Sequence, residues 1–403
     1  ATRRPEQRRI PEIDSAKRPE RRDVSRSFFI RTGWRTAEKA GRSGRRKSLR
    51  RKLSAASACF WGASFLWLLG LAAPALSAMG RDDFFALVES GDIADIEVAI
   101  RNGQDLEQEN EVGWTPLFIA VKRGDPDVVR LLLRASANPG HRVNGDMTAL
   151  HCAMIGPAKG RPLENTFEIV NLLLLEDMSL VNFRNCEGMT PLHIAALLYS
   201  DREILRQIRQ GDLKDIPRLL EVLLSVGADP NIKDDKEGNT ALHEATLGGD
   251  EEVALLLIRS GADVNAINNE GLTPLWGASA MGLPKVVSTL LEHGANPNVR
   301  TEGMTPLHMA TGVSFLRRKP SGEWESFSEM LKRTGRDGTD FLKVTKALVE
   351  AGAEVNALNN LKQSEKGERG TPLDMAEEGG NTIVAEYLKS VGGRNKKPWY
   401  WPF

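Results

Sequence analysis

The sequence is poor in the residues and motifs from which active sites and metal centres are usually built. Its 403 residues include three cysteines, at positions 59, 152 and 186, and six histidines. Three widely separated cysteines are too few for a zinc module or a disulfide framework. Neither a glycine-rich phosphate loop nor a Ser/His/Asp grouping stands out. We therefore expect no cofactor, no metal and no enzymatic activity.

The chain has no net charge, but its basic and acidic residues are distributed unevenly along the sequence. Residues 1–54 hold 19 Lys and Arg against 6 Asp and Glu, which leaves 35 of the 54 basic and 48 of the 54 acidic residues for the remainder. The remainder is therefore acidic. Because affinity for nucleic acid depends on accumulated positive charge, we do not expect a nucleic-acid partner.

A long uncharged segment follows the basic one. No charged residue occurs from Leu53 to Gly80, and Ala58–Ala78 reads ACFWGASFLWLLGLAAPALSA. A basic region, an apolar region and small residues, in that order, are typical of a secretory signal peptide. We predict a signal peptide or signal anchor at 49–78, cleaved after Ala75 or Ala78 in the first case. Residues 1–48 then form a disordered or untranslated basic leader.

Three localisations follow from this segment. Cleavage would export the protein to the periplasm or the medium, which is the interpretation we favour. An uncleaved segment would anchor it in a membrane with the remainder outside the cytoplasm. The first methionine is Met79, and translation from there would leave a cytoplasmic protein. Translation from Leu49 would instead give a signal peptide of ordinary bacterial proportions.

A short motif, Thr-Pro/Ala-Leu, occurs seven times in the acidic part. Thr can N-cap a helix through its hydroxyl, and Pro suits the first helical turn because its missing N–H has no partner there. Leu at the third and Ala at the sixth position lie on one face, where the small Ala lets a neighbouring helix approach. The copies begin at Thr115, Thr148, Thr190, Thr240, Thr273, Thr305 and Thr371, with spacings of 33, 42, 50, 33, 32 and 66 residues.

A second amphipathic run lies between most motifs and the next. Each run predicts a helix of about three turns or fewer, too short to be stable alone. The runs are 129–133, 169–175, 219–224, 253–258, 286–291 and 344–349. Four of them lead to a glycine, at positions 227, 261, 294 and 352, and glycine just past a helix is the usual left-handed cap. Paired helices at a period near 33 are typical of a stacked solenoid.

These residues resemble the ankyrin-repeat family over roughly residues 81–393. The resemblance implies an all-α fold: an ankyrin-repeat solenoid at 79–393 of about eight helix-turn-helix units, with helical insertions. A degenerate first unit at 84–107 lacks the motif but keeps a helix pair and Gly103. Two junctions, SANPG at 136–140 and EDMSLVN at 176–182, lack the cap glycine. We expect them to be looser.

The resemblance also implies a role for the histidines at the fourth motif position. Units about 10 Å apart are too distant to share a metal through bonds of roughly 2 Å. The family instead implies structural hydrogen bonds that join adjacent turns. These residues are His151, His193, His243 and His308.

Insertions stretch three units between the first and second helix, at 155–166, 198–216 and 313–340. Their position in the units puts them on one edge of the stack, and such insertions often map to a binding face. The longest brings basic and aromatic residues to an acidic array, although packing of a short helix at 323–333 is the competing interpretation for its aromatics. Our candidate partner-binding residues are Arg317, Arg318, Trp324 and Phe327 there, and Trp114, Phe183 and Trp276 on the finger side and inner face.

The sequence ends in an aromatic C-terminal tail at 394–403, with four aromatic residues in NKKPWYWPF. The tail either covers the last repeat or anchors a partner or membrane interface. Together, these features predict an exported, monomeric, non-enzymatic scaffold for a protein partner. The alternatives are a membrane-tethered binding protein, and a hydrolase or transferase whose site lies on the insertions. An enzyme would need at least two titratable residues within hydrogen-bond reach of each other in a cleft there.

Overall fold

The structure, a computed structural model, describes residues 81–156, 162–199, 216–301, 303–312, 331–332, 335–359 and 370–395. They belong to one of the two compact units of the chain, Gly62–Ser314 together with Ser326–Phe403. The predicted leader, the signal segment and most of the aromatic tail lie outside the described residues, as do Arg317, Arg318, Trp324 and Phe327.

Eight pairs of α-helices account for most of the described residues, so the all-α prediction is confirmed. The first helices are α1 (Arg81–Ser90), α3 (Pro116–Arg123), α5 (Ala149–Met154), α7 (Pro191–Tyr199), α9 (Ala241–Gly248), α11 (Pro274–Ala280), α13 (Pro306–Met309) and α15 (Pro372–Glu378). The second helices are α2 (Ile93–Arg101), α4 (Pro126–Arg134), α6 (Leu163–Glu176), α8 (Ile216–Ser225), α10 (Glu251–Arg259), α12 (Pro284–Glu292), α14 (Gly338–Glu350) and α16 (Thr382–Ser390). None of the helices in the described ranges is long and apolar enough to cross a membrane.

The first helices begin at the motif threonines, as predicted. The Thr115 hydroxyl accepts a hydrogen bond from the Phe118 N–H at 3.2 Å, and Thr273 does the same for Trp276 at 3.3 Å. Motif Leu and Ala then point into the array. All seven motif leucines are at most 2% exposed, as are all seven motif alanines, and each buried leucine stabilises the fold by about 1.5–3 kcal/mol.

The second helices end in left-handed residues. Gly227, Gly261, Gly294 and Gly352 have φ between 84° and 96°, as the sequence predicted. At the first junction without glycine, Ser136 takes the same conformation at φ 67°. At the second, Met178–Asn182 forms a 3-10 helix that buries Leu180 and Val181. Both junctions therefore have a defined path, unlike the looser ones we expected.

The helices form two layers. Each first helix packs against the first helix of the next unit, and second helices pack similarly along most of the second layer. The insertions lie between first and second helices, but parts of them lengthen α6 to 14 and α14 to 13 residues. These two helices therefore exceed the three turns predicted, because insertion residues such as Leu163 are buried and continue the apolar face.

Candidate interaction surface

A row of buried histidines joins the turns, or fingers, that precede the first helices. The Thr240 N–H donates to His243 Nδ1 at 3.2 Å, and the Thr240 hydroxyl lies 2.9 Å from the same nitrogen. Because Nδ1 accepts, Nε2 carries the proton, and it donates to the Leu272 carbonyl of the next finger at 3.1 Å. The same bond runs from His151 to Met189, from His193 to Asn239 and from His308 to Gly370. The predicted structural role of these histidines is confirmed.

Burial keeps this row uncharged at neutral pH. Loss of hydration lowers the pKa of His151, His243 and His308 from 6.5 to about 4, and it lowers the pKa of His193 as well. A neutral imidazole can accept at one nitrogen and donate at the other, which is what each bridge requires. Among the described residues, no group of three or more His, Cys, Asp or Glu side chains is placed to hold a metal ion.

Trp276 occupies the histidine position of the sixth unit. It is 5% exposed, so the exposure on the inner face that we considered is not observed. Its backbone N–H donates to Thr273, while its indole Nε1 is buried without a hydrogen-bond partner in the described structure. Trp276 is therefore a packing residue, and it offers little surface to a partner.

A second row of side chains joins the loops that follow the second helices. The Asn265 amide donates to the Gly294 carbonyl at 3.0 Å, and its oxygen accepts from the Asn296 N–H at 3.0 Å. The same pair of bonds recurs at Asn182, Asn231, Asn298 and Asn356. We did not predict this role, although the recurring Asn of GADxN was its visible signal. The histidine row and the asparagine row together fix the spacing of neighbouring units.

Basic side chains tie the fingers together near their exposed ends. Arg184 donates to the Asp235 carboxylate at 2.8 Å, and the Lys233 ammonium donates to the Ile267 carbonyl at 2.7 Å. Arg300 reaches the Leu358 carbonyl at 3.2 Å. Each of these bonds crosses from one unit to the next. The Thr301 hydroxyl donates to the Gly271 carbonyl between the seventh and sixth fingers, and the Asn144 amide donates to the Val112 carbonyl between the third and second. Together with the histidine bridges, these bonds form a continuous and preorganised row from the second finger to the eighth.

Two candidate aromatics lie on this row. Trp114 is half-buried on the second finger, with the Lys122 ammonium 3.8 Å from its ring centroid and the Phe118 ring at 5.9 Å. Phe183 is half-buried before the fourth finger, and the Arg142 guanidinium lies 5.4 Å from its ring. The third finger lies between them in the chain, so they belong to separate parts of the row.

An acidic group on the fifth unit was missed by the sequence analysis. The Asn239 amide donates to Glu244 at 2.8 Å and to Glu237 at 3.1 Å. The pKa of Glu244 is raised to about 7, mainly by burial and in part by the Glu237 and Asp234 carboxylates. The signal was present in the motif: Glu244 is the charged residue at a fifth position that is otherwise Ile, Cys, Gly or Met.

Comparison with known families agrees with the repeat geometry. A family model for ankyrin repeats (3 copies) matches residues 84–160 and 208–301. The chain contains ankyrin repeats. Ankyrin repeats indicate a scaffold for protein–protein interaction.

Several curated proteins share the repeats. The chain is 30% identical to the B-cell lymphoma 3 protein homolog of Mus musculus over 54% of this chain and 45% of that protein. It is 31% identical to ankyrin repeat and SOCS box protein 16 of Mus musculus over 48% and 47% of the two chains. It is 26% identical to the E3 ubiquitin-protein ligase KEG of Arabidopsis thaliana over 56% and 15%. The matches span less than half the length of each relative.

A solved structure is also similar. The crystal structure of the ankyrin repeat domain of Bcl-3, described as a unique member of the IkappaB protein family, is 28% identical with a TM-score of 0.45. The match covers 56% of this chain and 92% of that chain.

Proposed function

We propose that this ankyrin-repeat protein is an exported, non-enzymatic scaffold that binds a protein partner through the finger row and the inserted edge. The observation that carries the proposal is the continuous finger row. Hydrogen bonds hold successive fingers together, and the asparagine row holds the loops that follow the second helices, so little conformational entropy is lost when a partner binds there. Rigid polar loops with a half-exposed aromatic such as Trp114 suit recognition of a protein surface.

The non-enzymatic part of the proposal is supported by the relatives. The names of the two mouse proteins state no enzymatic activity, and the match to the E3 ligase covers 15% of the length of that enzyme. The match to that ligase therefore concerns the repeats, and its activity is not carried over to this chain.

The partner can be identified by affinity purification from the native host, followed by measurement of the dissociation constant with purified components. Trp114→Ala should weaken binding at least fivefold, because truncation of an aromatic anchor typically costs more than 1 kcal/mol. Ile383→Ala is the matched control, since Ile383 is 43% exposed on α16, away from the fingers. Equal affinities for both variants would remove the second finger from the binding surface.

Export is supported by the order of basic, apolar and small residues before the repeats. Residues 49–78 should direct a fused alkaline phosphatase out of the cytoplasm, where that enzyme becomes active. The control fusion carries Leu68→Asp and Leu69→Asp, which interrupt the apolar stretch. Amino-terminal sequencing of the native protein should then find a start near Met79. Retention of residues before Leu49 in a soluble cytoplasmic protein would contradict export.

A further inference from the structure

Within the described ranges, the second-helix layer is open at one place. Neighbouring second helices pack against each other throughout the described part of the chain, except for α6 and α8, which are not in close contact. The first-helix layer has no such break there, because α5 packs against α7 and α7 against α9. The opening leaves a groove of about 470 Å³ between α6 and α8.

The groove is lined by four apolar and four polar residues. Phe167, Leu172 and Leu175 from α6 face it together with Val222 from α8. Arg218 covers one part of this lining, with its guanidinium 5.3 Å from the Phe167 ring centroid. Protein-binding sites commonly combine apolar and polar side chains in this way.

The apolar surface continues past the end of α6. Leu175 is 82% exposed and Met178 is 63% exposed, and these are the two most exposed large apolar side chains among the described residues. An exposed apolar side chain in the lining of a groove favours an interaction site, whereas scattered exposed ones do not.

The charges around this surface are mainly acidic. Glu164 and Glu168 line the groove, and Glu168 receives an ion pair from Arg130. Glu176 and Asp177 lie between Leu175 and Met178 in the chain, at the carboxyl end of α6, where the helix dipole adds negative charge. A basic occupant would therefore be favoured over an acidic one.

We infer that this groove docks an amphipathic helix of a partner protein, with aliphatic side chains on one face and Lys or Arg beside them. The flanking helices are 14 and 10 residues long, which corresponds to roughly 21 and 15 Å. A third helix of similar length can lie along them, as neighbouring helices do elsewhere in the layer. This site lies in the second-helix layer and is separate from the finger row, so it goes beyond the proposed function.

The test uses the full chain and two fluorescein-labelled 14-residue model peptides. One has Leu at helical positions i, i+3, i+4 and i+7 with Lys elsewhere, and the other replaces each Lys by Glu. Fluorescence anisotropy at 0.15 M salt should show micromolar binding of the Leu/Lys peptide and at least tenfold weaker binding of the Leu/Glu peptide. Leu175→Asp should weaken binding of the Leu/Lys peptide at least tenfold, even though it adds a negative charge.

The matched control is Ile267→Asp, which makes the same change at a residue that is 50% exposed on a finger. It should bind the Leu/Lys peptide as well as the native chain does. Equal effects of the two substitutions would show that net charge alone attracts the peptide, and would overturn the inference. So would the absence of binding to the native chain.

Two other occupants are distinguished by further measurements. If a second copy of the chain fills the groove, sedimentation equilibrium will show a dimer that Leu175→Asp dissociates. If residues 200–214 fill it, the peptide will bind only after they are replaced by a Gly-Ser linker of equal length. Either result would overturn the assignment to a partner helix. Neither would bear on the finger row.

Discussion

His243 Nε2 donates to the Leu272 carbonyl at 3.1 Å, and this bond joins the fifth unit to the finger of the sixth. The histidine is 1% exposed, and its other nitrogen accepts from Thr240. One side chain therefore supports the helix start in its own unit and the position of the next unit.

Removing this bridge should destabilise the protein without changing metal binding. His243→Ala should lower the free energy of unfolding by about 1 to 2 kcal/mol, because the Leu272 carbonyl and the Thr240 N–H lose a buried partner. His293→Ala is the control, since His293 is exposed and bonds only to Thr289 of its own helix. Urea unfolding at pH 7 measures both. Zinc or nickel bound by the native chain and lost in His243→Ala would contradict the structural assignment.

The same histidines predict sensitivity to acid. Burial lowers the pKa of His151, His243 and His308 from 6.5 to about 4, so between these values the unfolded chain binds more protons than the folded one. Stability is therefore complete above pH 6.5 and is lost as the pH falls toward 4, by about 2 kcal/mol per histidine at pH 5. Unfolding free energies at pH 7 and pH 5 should show this loss. In His243→Ala, the drop in unfolding free energy from pH 7 to pH 5 should be smaller by about 2 kcal/mol, the contribution of one histidine. An unchanged drop would contradict the burial of a neutral His243.

Glu244 should have the opposite pH dependence. Its pKa is raised from 4.5 to about 7, mainly by burial, so the folded state binds more protons in that window and stability falls as the pH rises through it. Glu244→Gln keeps an acceptor for the Asn239 amide and removes the charge. We expect this variant to be more stable than the native chain by about 1–2 kcal/mol at pH 8, with no difference near pH 4.5. Glu386→Gln, at an exposed position on α16, should show little effect at either pH.

Ser136 offers a test of the left-handed caps. At φ 67°, a residue with a side chain costs about 1–2 kcal/mol, while glycine costs about 0.5–1 kcal/mol in lost freedom. Ser136→Gly should therefore stabilise the protein by about 0.5–1 kcal/mol. The reciprocal change Gly261→Ser should destabilise it by a similar amount, because φ is 86° and no atom lies within 4 Å of an added Cβ to complicate the comparison. Thermal or urea unfolding of both variants should show a higher stability for Ser136→Gly and a lower stability for Gly261→Ser than for the native chain.

The helix starts and caps could be predicted because they depend on short-range chemistry. The Thr115 hydroxyl accepts from the N–H three residues ahead, and Gly261 needs only its own positive φ. A short sequence pattern is therefore enough to predict both the helix start and the cap. The buried His243 was also predictable, because its partner lies one repeat away at a fixed spacing.

Features that depend on packing between units could not be read from the sequence. The opening between α6 and α8 follows from how two units stack, and the apolar run of α6 looks like any other second helix. The raised pKa of Glu244 likewise arises from burial and from Glu237 and Asp234, which are brought together by the finger geometry. The role of Trp276 was ambiguous because an aromatic residue can pack in a core or bind a partner at a surface. Its 5% exposure shows that it packs in the core.

The last prediction concerns the longest insertion. After α13 the described chain runs to Gly312, and before α14 it includes Asp337, whose carboxylate caps that helix by accepting from the Thr339 N–H at 2.7 Å. Replacing residues 313–334 by a short Gly-containing turn keeps this cap, and because loop-closure free energy grows only logarithmically with length, it should change stability by about 1–2 kcal/mol at most. The replacement removes Arg317, Arg318, Trp324 and Phe327, residue types that often dominate binding, so affinity for the partner should fall at least tenfold while the melting temperature changes little. A variant that binds as well as the native chain would show that the insertion is not part of the site, and the fingers carrying Trp114 and Phe183 would then be the preferred binding surface.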